Sequence, residues 1–196
     1  FRSIHTKEID TAFAGELDMP DETKWLMASY YMPSTYSIRV PVSSPLCGKA
    51  LPALGPATVQ LAMIRTAIEL YGLEATRDGL FPSIVACNPQ IQPPDRVAIS
   101  SQMQRLLKAD DEGRLNMGIG YREFCHCEGF IRIFVQVPRN LSVAFTAILR
   151  MIGYWGRSDG FACCSEVAGR QPDIGCCARK FEELSSKTGL NNYFCA

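Results

Sequence analysis

The chain has 196 residues, 47% of them hydrophobic, and its 20 basic side chains balance 20 acidic ones. That apolar content is enough to bury a real core in one domain with appendages, and a net charge of zero argues against an indiscriminate polyanion binder. No apolar run is long enough to span a bilayer and the first residues hold no signal-like apolar core, so a soluble, cytoplasmic protein without a membrane partner is expected.

Residues 1–29 read as an acidic leader, with Glu8, Asp10, Glu16, Asp18, Asp21 and Glu22 against Arg2, Lys7 and Lys24. The first strand is predicted at Tyr36–Val42, where Tyr36, Ile38, Val40 and Val42 share one face and Ser37 and Arg39 the other. Pro41 is a mild conflict with that reading. Gly55-Pro56-Ala57-Thr58 then opens a helix that runs to Tyr71-Gly72. Its apolar stripe is read as Leu61, Ile64, Ile68 and Tyr71, widened by Val59, Met63 and Leu70, with Pro56 in the first turn and Gly72 at the end.

A long, polar, moderately basic insertion follows, at about 88–120. Its prolines and its turn-rich Ala109–Asn116 stretch predict an extended arm or hairpin outside the compact fold. Arg96, Arg105, Lys108 and Arg114 can contact phosphates there, and Ser100, Gln102 and Gln104 can supply neutral hydrogen bonds. A solvated surface loop is the plainer reading of the same composition. Short strands are predicted at Tyr121–Cys127 and Phe161–Val167, and a central one at Phe130–Val137. Between the last two, Leu141, Phe145, Ile148, Leu149 and Ile152 make a helical stripe, with Asn140 as its N-cap. Strand, helix, strand, strand, helix, strand is the order of an α+β, ferredoxin-like (RRM-like) βαββαβ domain. It is placed at 30–167, with a C-terminal extension at 168–196.

The residues that carry chemistry are few. Nine cysteines (Cys47, Cys87, Cys125, Cys127, Cys163, Cys164, Cys176, Cys177 and Cys195) are odd in number, and none of their spacings is the C-x2-C that grips a tetrahedral zinc. Buried free thiols are the favoured reading, with no metal and no cofactor. His5 lies in the leader, and His126 alternates with Arg122 and Phe124 on a predicted strand, a position more often structural than catalytic. No nucleophile elbow, phosphate-binding loop or dinucleotide fingerprint is present. No catalytic residues are assigned.

The strand Tyr36–Val42, followed by Gly55-Pro56-Ala57-Thr58-Val59 opening a helix, resembles the start of RAMP-superfamily CRISPR proteins. Gly153-Tyr154-Trp155-Gly156-Arg157-Ser158-Asp159 resembles the glycine-and-arginine segment near the end of the family-five (“Cas five” type) Cascade subunit. The resemblance covers about residues 30–167. It implies a noncatalytic subunit that holds the 5′ handle of crRNA with a ferredoxin-like body and a protruding thumb, here the arm. The implied partners are the handle, the backbone and large subunits of Cascade, and target DNA through the complex. On this reading Arg39, Arg65 and Arg122 beside Tyr121 supply charge near the sheet, and Tyr154, Trp155 and Arg157 supply stacking and a guanidinium. Arg96, Ser100, Gln102, Gln104, Arg105 and Lys108 supply the arm's contacts. Gly129-Phe130 with Phe134 echoes the aromatic strand motif of RRM domains, although Ile131 and Ile133 interrupt it. Two other readings stay open. One is a RAMP endoribonuclease acting through His126, Tyr121 and Lys108. The other is a cysteine-rich zinc module.

Overall fold

A computed structural model describes residues 22–39, 47–109, 113–158 and 160–173. Two sheets share one core. The main sheet has the strand order β3-β6-β1-β7, built from β1 (Thr23–Tyr31), β3 (Gln90–Gln92), β6 (Phe130–Pro138) and β7 (Cys163–Ala168). Every pairing in it is antiparallel. The second sheet joins β4 (Arg96–Ala109) and β5 (Leu115–Glu128) as an antiparallel hairpin, with the short β2 (Cys47–Gly48) parallel to β5. The protein is therefore a mixed α/β fold dominated by antiparallel sheet.

The first strand corrects the sequence reading. It is Thr23–Tyr31, so it begins inside the stretch read as a leader. Leu26, Ala28 and Tyr30 face the core, and Tyr30 donates its hydroxyl hydrogen bond to the Leu149 carbonyl. The expected strand at Tyr36–Val42 is reduced to single bridges, Tyr36 with Cys125 and Arg39 with Ala50, and residues 40–42 lie outside the described segments. Pro33, just before Tyr36, lacks the amide hydrogen that a longer ladder needs. The acidic residues before Thr23 had masked the apolar run Trp25–Tyr31, which reads as a buried strand once it is taken alone.

Helix α1 (Pro56–Tyr71) and helix α3 (Ser142–Met151) pack on each other, with α2 (Phe81–Ala86) beside α1. In α1 the buried face is Val59, Ala62, Met63, Thr66 and Ala67. Leu61 is 67% exposed, so the stripe anticipated through Leu61 and Ile68 is turned outward. Small residues on the buried face allow the close approach that interior packing requires. Helix α3 buries Phe145, Ile148 and Leu149, with Leu141 and Ile152 flanking it, as the spacing predicts. Its cap differs, because a 3-10 turn at Arg139–Leu141 leads in and Leu141 holds the cap position without a side-chain bond.

The arm is a hairpin, but its boundaries differ from those read in the sequence. Gln90–Gln92 belongs to the main sheet, with Ile91 buried. From Arg96↔Glu128 to Ala109↔Leu115 one unbroken ladder joins two strands of 14 residues each. Tyr121–Cys127 is thus the proximal part of the same strand. Cys125 and Cys127 are buried there and root the hairpin in the core.

Candidate nucleic-acid interface

Four segments remote in sequence meet at the root of the hairpin. Ser37, Ile38 and Arg39 from the loop after β1, Gly48 from β2, Arg122 from β5, and Gly156 and Arg157 from the turn before β7 line one cleft. Among the described residues three guanidiniums and no carboxylate line it. Planar guanidiniums with forked donors suit phosphate oxygens. Among the described residues Arg122 has no ion-pair partner.

Local chemistry explains each position. Tyr36 and Cys125 exchange backbone hydrogen bonds of 2.9 and 2.8 Å, and the buried Tyr36 donates its hydroxyl to the Pro52 carbonyl. These contacts fix the loop carrying Arg39 against β5. Glu123 points away from the cleft and accepts the Ala50 amide at 3.0 Å. Gly48 pairs with Arg122, and a side chain there would stand 4.0 Å from the Arg122 side chain.

The turn carrying Arg157 is closed by Trp155 N donating to the Gly160 carbonyl and Gly160 N donating to the Arg157 carbonyl, each at 3.1 Å. Gly156 has φ of 68°, a left-handed conformation that favours glycine. A Cβ on Gly160 would lie 3.0 Å from the Trp155 carbonyl oxygen and 3.2 Å from Tyr36 Cβ. The glycine-and-arginine segment is therefore a tight turn that presents one arginine.

The other sequence-selected residues divide by position. Trp155 is 1% exposed and packs edge-on against Tyr30, with ring centroids 4.9 Å apart. Its expected role in base stacking is corrected to that of a core anchor. Arg65 sits 3.4 Å over the Tyr154 ring and 3.6 Å from Glu69, so these two residues engage each other away from the cleft lining. Arg96 pairs with Glu128 at 2.9 Å across the ladder. Ser100, Gln102 and Gln104 lie on the hairpin face that also carries Arg122, which is directly opposite Gln102. Arg105 and Tyr121 lie on the reverse face, where the Tyr121 hydroxyl bonds to Ser101. Lys108 pairs with Asn116 near the hairpin end.

The two hairpin faces differ in chemistry. The face of Arg122 carries Ser100, Gln102 and Gln104 with Gly118 and Gly120, which leave backbone uncovered. The reverse face exposes Ile99, Met103, Leu107, Leu115, Met117 and Ile119, from 52% at Ile99 to 79% at Met103. Sequence reasoning treated the arm as uniformly polar and missed this apolar face, although its odd-numbered alternation on β4 was available. It also missed Ser37, Ile38, Gly48 and Gly156 as cleft residues, and no local signal marks them.

Among the described residues the side chains named for the nuclease and zinc readings are not brought together. His126 and Tyr121 project from opposite faces of β5, and Lys108 pairs near the far end of the ladder. Burial, with the neighbouring Cys127 next in effect, pushes the Cys125 thiol up to about 11, and burial raises Cys127 as well. Such thiols keep their protons at neutral pH in the metal-free protein. Among the described residues no group of three or more His, Cys, Asp or Glu side chains is placed to hold a metal ion. Cys176, Cys177 and Cys195 lie outside those residues.

No family model matches the chain. A CRISPR-associated protein Cas5 from Archaeoglobus fulgidus is 25% identical over 174 residues, covering 84% of this chain and 75% of the relative. The chain resembles that Cas5 protein in sequence. A chain in a cryo-EM structure of the type III-B Cmr-beta bound to cognate target RNA aligns with a TM-score of 0.55 at 9% identity, over 75% of this chain and 60% of that one. That likeness is one of fold. A crystal structure of a CRISPR protein from Archaeoglobus fulgidus aligns more loosely, with a TM-score of 0.41 at 13% identity over 75% of this chain. The chain spans 60% and 63% of the lengths of these two structural neighbours. Among the described residues no helix is long and apolar enough to cross a membrane.

Proposed function

We propose that the chain is a noncatalytic crRNA-binding subunit of a type I, Cascade-like CRISPR effector complex acting in antiviral defence in the cytoplasm. It holds the 5′ handle and caps one end of the backbone. The observation that carries this reading is the convergence of Arg39, Arg122 and Arg157 on one cleft at the root of a projecting hairpin. A guide strand lying in the cleft would continue along the polar hairpin face, where Gln102, Gln104 and the bare Gly118 and Gly120 backbone offer hydrogen bonds. The apolar reverse face suits contact with the backbone or large subunit, and target DNA would be reached through the assembled complex.

The fold reading goes with it. In β1–α1–β3 and β6–α3–β7, with the order β3-β6-β1-β7, we read a ferredoxin-like split βαβ whose arm is the β4–β5 hairpin.

The test is fluorescence anisotropy of labelled CRISPR-repeat RNA with the purified chain, alongside a gel assay of RNA length. Tight, salt-dependent binding of RNA that stays intact is expected. Site-specific cleavage, lost on His126→Ala, would move the chain to the endoribonuclease class.

A further inference from the structure

The main sheet has a second face, opposite the helices, and at one end it is open. Along β1 the residues on that side are Trp25, Met27, Ser29 and Tyr31, and register places Gln136, Phe134, Arg132 and Phe130 opposite them on β6. Met27, Ser29 and Phe134 are buried, whereas Tyr31 is 49% and Phe130 40% exposed. These two rings are direct cross-strand neighbours on the two central strands. Their centroids are 6.3 Å apart and their planes tilted by 58°, so neither ring covers the face of the other. Ile131 and Ile133, which interrupt the aromatic motif in the sequence, point to the core and leave the open face unbroken.

The rungs beside the rings are polar. Gln92, Arg132, Ser29 and Glu166 follow one another across β3, β6, β1 and β7. Among the described residues Arg132 has no ion-pair partner. Cys163 pairs with Tyr31 on the outer strand and is exposed. The negative groups nearby are Glu166 on the neighbouring rung and Asp95, whose carboxylate lies 2.9 Å from where a Cβ of Gly129 would be. Gly129, at φ of 93°, follows β5 without a side chain to stand over Phe130.

We infer that Tyr31 and Phe130 form a stacking platform for bases of single-stranded RNA, with Arg132 and Gln92 meeting the phosphate or base edge beside it. Two exposed rings on adjacent central strands, flanked by a guanidinium and an amide, match how a sheet binds unpaired bases. The adjoining polar rung suits hydrogen bonds to a phosphate or a base edge. The platform is also at the end of β1 from which the chain passes to Tyr36 and the arginine cleft, so one strand of RNA can use both. The inference rests on the proposal that the chain binds single-stranded RNA and adds a site outside the cleft and the hairpin.

The experiment uses the full chain and the labelled repeat RNA at several salt concentrations. Tyr31→Leu and Phe130→Leu keep apolar bulk and remove the ring, and Tyr31→Phe keeps the ring. Each Leu variant should bind about tenfold more weakly, with the parent's salt slope, because every phosphate stays bound as before. Tyr31→Phe should bind as the parent does, and 5-bromouridine placed in the RNA should photocrosslink to Tyr31 or Phe130. Leu variants with parental affinity and no crosslink at either ring would overturn the platform while leaving the cleft proposal standing. Parental RNA affinity with failed assembly onto neighbouring subunits would overturn it in favour of protein docking. A parent chain that does not bind the RNA would overturn the RNA-binding proposal and the platform together.

Discussion

Tyr36 and Cys125 exchange both of their backbone hydrogen bonds, at 2.9 and 2.8 Å. Arg39 follows Tyr36 and Arg122 precedes Cys125 by the same short step, and both arginines line one cleft. Two guanidiniums brought to one cleft can both donate to an anion placed between them. The bridge therefore fixes the two backbone segments that carry these arginines.

Replacing Arg39, Arg122 and Arg157 together by Gln should leave the melting temperature nearly unchanged, since the changes remove no buried apolar surface. Repeat-RNA binding should weaken, and the slope of log affinity against log salt should flatten by roughly 0.7 for each phosphate no longer held. Anisotropy titrations between low and physiological salt measure both. An unchanged slope means the cleft does not hold the backbone.

Trp155 is a stability residue by its burial and its contact with Tyr30. Trp155→Ala should cost about 3–5 kcal/mol, read as a lower midpoint in urea unfolding. Under conditions where the variant is still folded, its RNA affinity should stay close to that of the parent. A selective loss of binding with normal stability would contradict the core assignment.

Gly156→Ala places a Cβ on a residue with φ of 68° and should cost about 1–2 kcal/mol. Gly160→Ala meets the Trp155 carbonyl and the Tyr36 side chain, both within 3.2 Å, so the turn must move. Both variants should lower the melting temperature and shift Arg157, weakening RNA binding more than the stability loss alone explains. Thermal melts paired with anisotropy separate the two effects.

Met103→Ser, Leu107→Ser and Met117→Ser, made together, alter only exposed positions of the hairpin's apolar face. Fold and isolated RNA affinity should hold, while co-purification with the neighbouring effector subunits should drop. If assembly is untouched and RNA binding fails, that face contacts the guide strand instead.

Stability should fall at alkaline pH. Burial holds the folded-state Cys125 thiol at about 11 against an ordinary value of 9.0, so the native state keeps its proton longer than the unfolded chain does. A raised folded value gives a contribution that is complete below pH 9 and is lost as pH rises towards 11. Tyr36, raised for the same reason of burial, acts in the same direction. Urea midpoints measured from pH 7 to 11 should decline, and Cys125→Ala should decline less steeply.

The sequence by itself determined the elements whose burial follows a simple period. The stripe of α3 and the dense apolar run of β6 are legible because a packed interior selects side chains at fixed spacing. So are the prolines and polar residues that announce the hairpin. Averaging charge over residues 1–29 hid β1, whose apolar run begins only at Trp25. Register fixed what no period encodes. One face of the hairpin is polar and the other apolar only because Met103 and Leu107 pair with Tyr121 and Met117. Arg39, Arg122 and Arg157 are each recognisable as basic, but they come from a loop, a strand and a turn with no common repeat. Their convergence was decided by the tertiary structure, through the Tyr36–Cys125 bridge and the Gly156–Gly160 turn. Backbone hydrogen bonds and glycine conformations of that kind join residues far apart in the chain. Side-chain patterning reports only which face of a local element is buried.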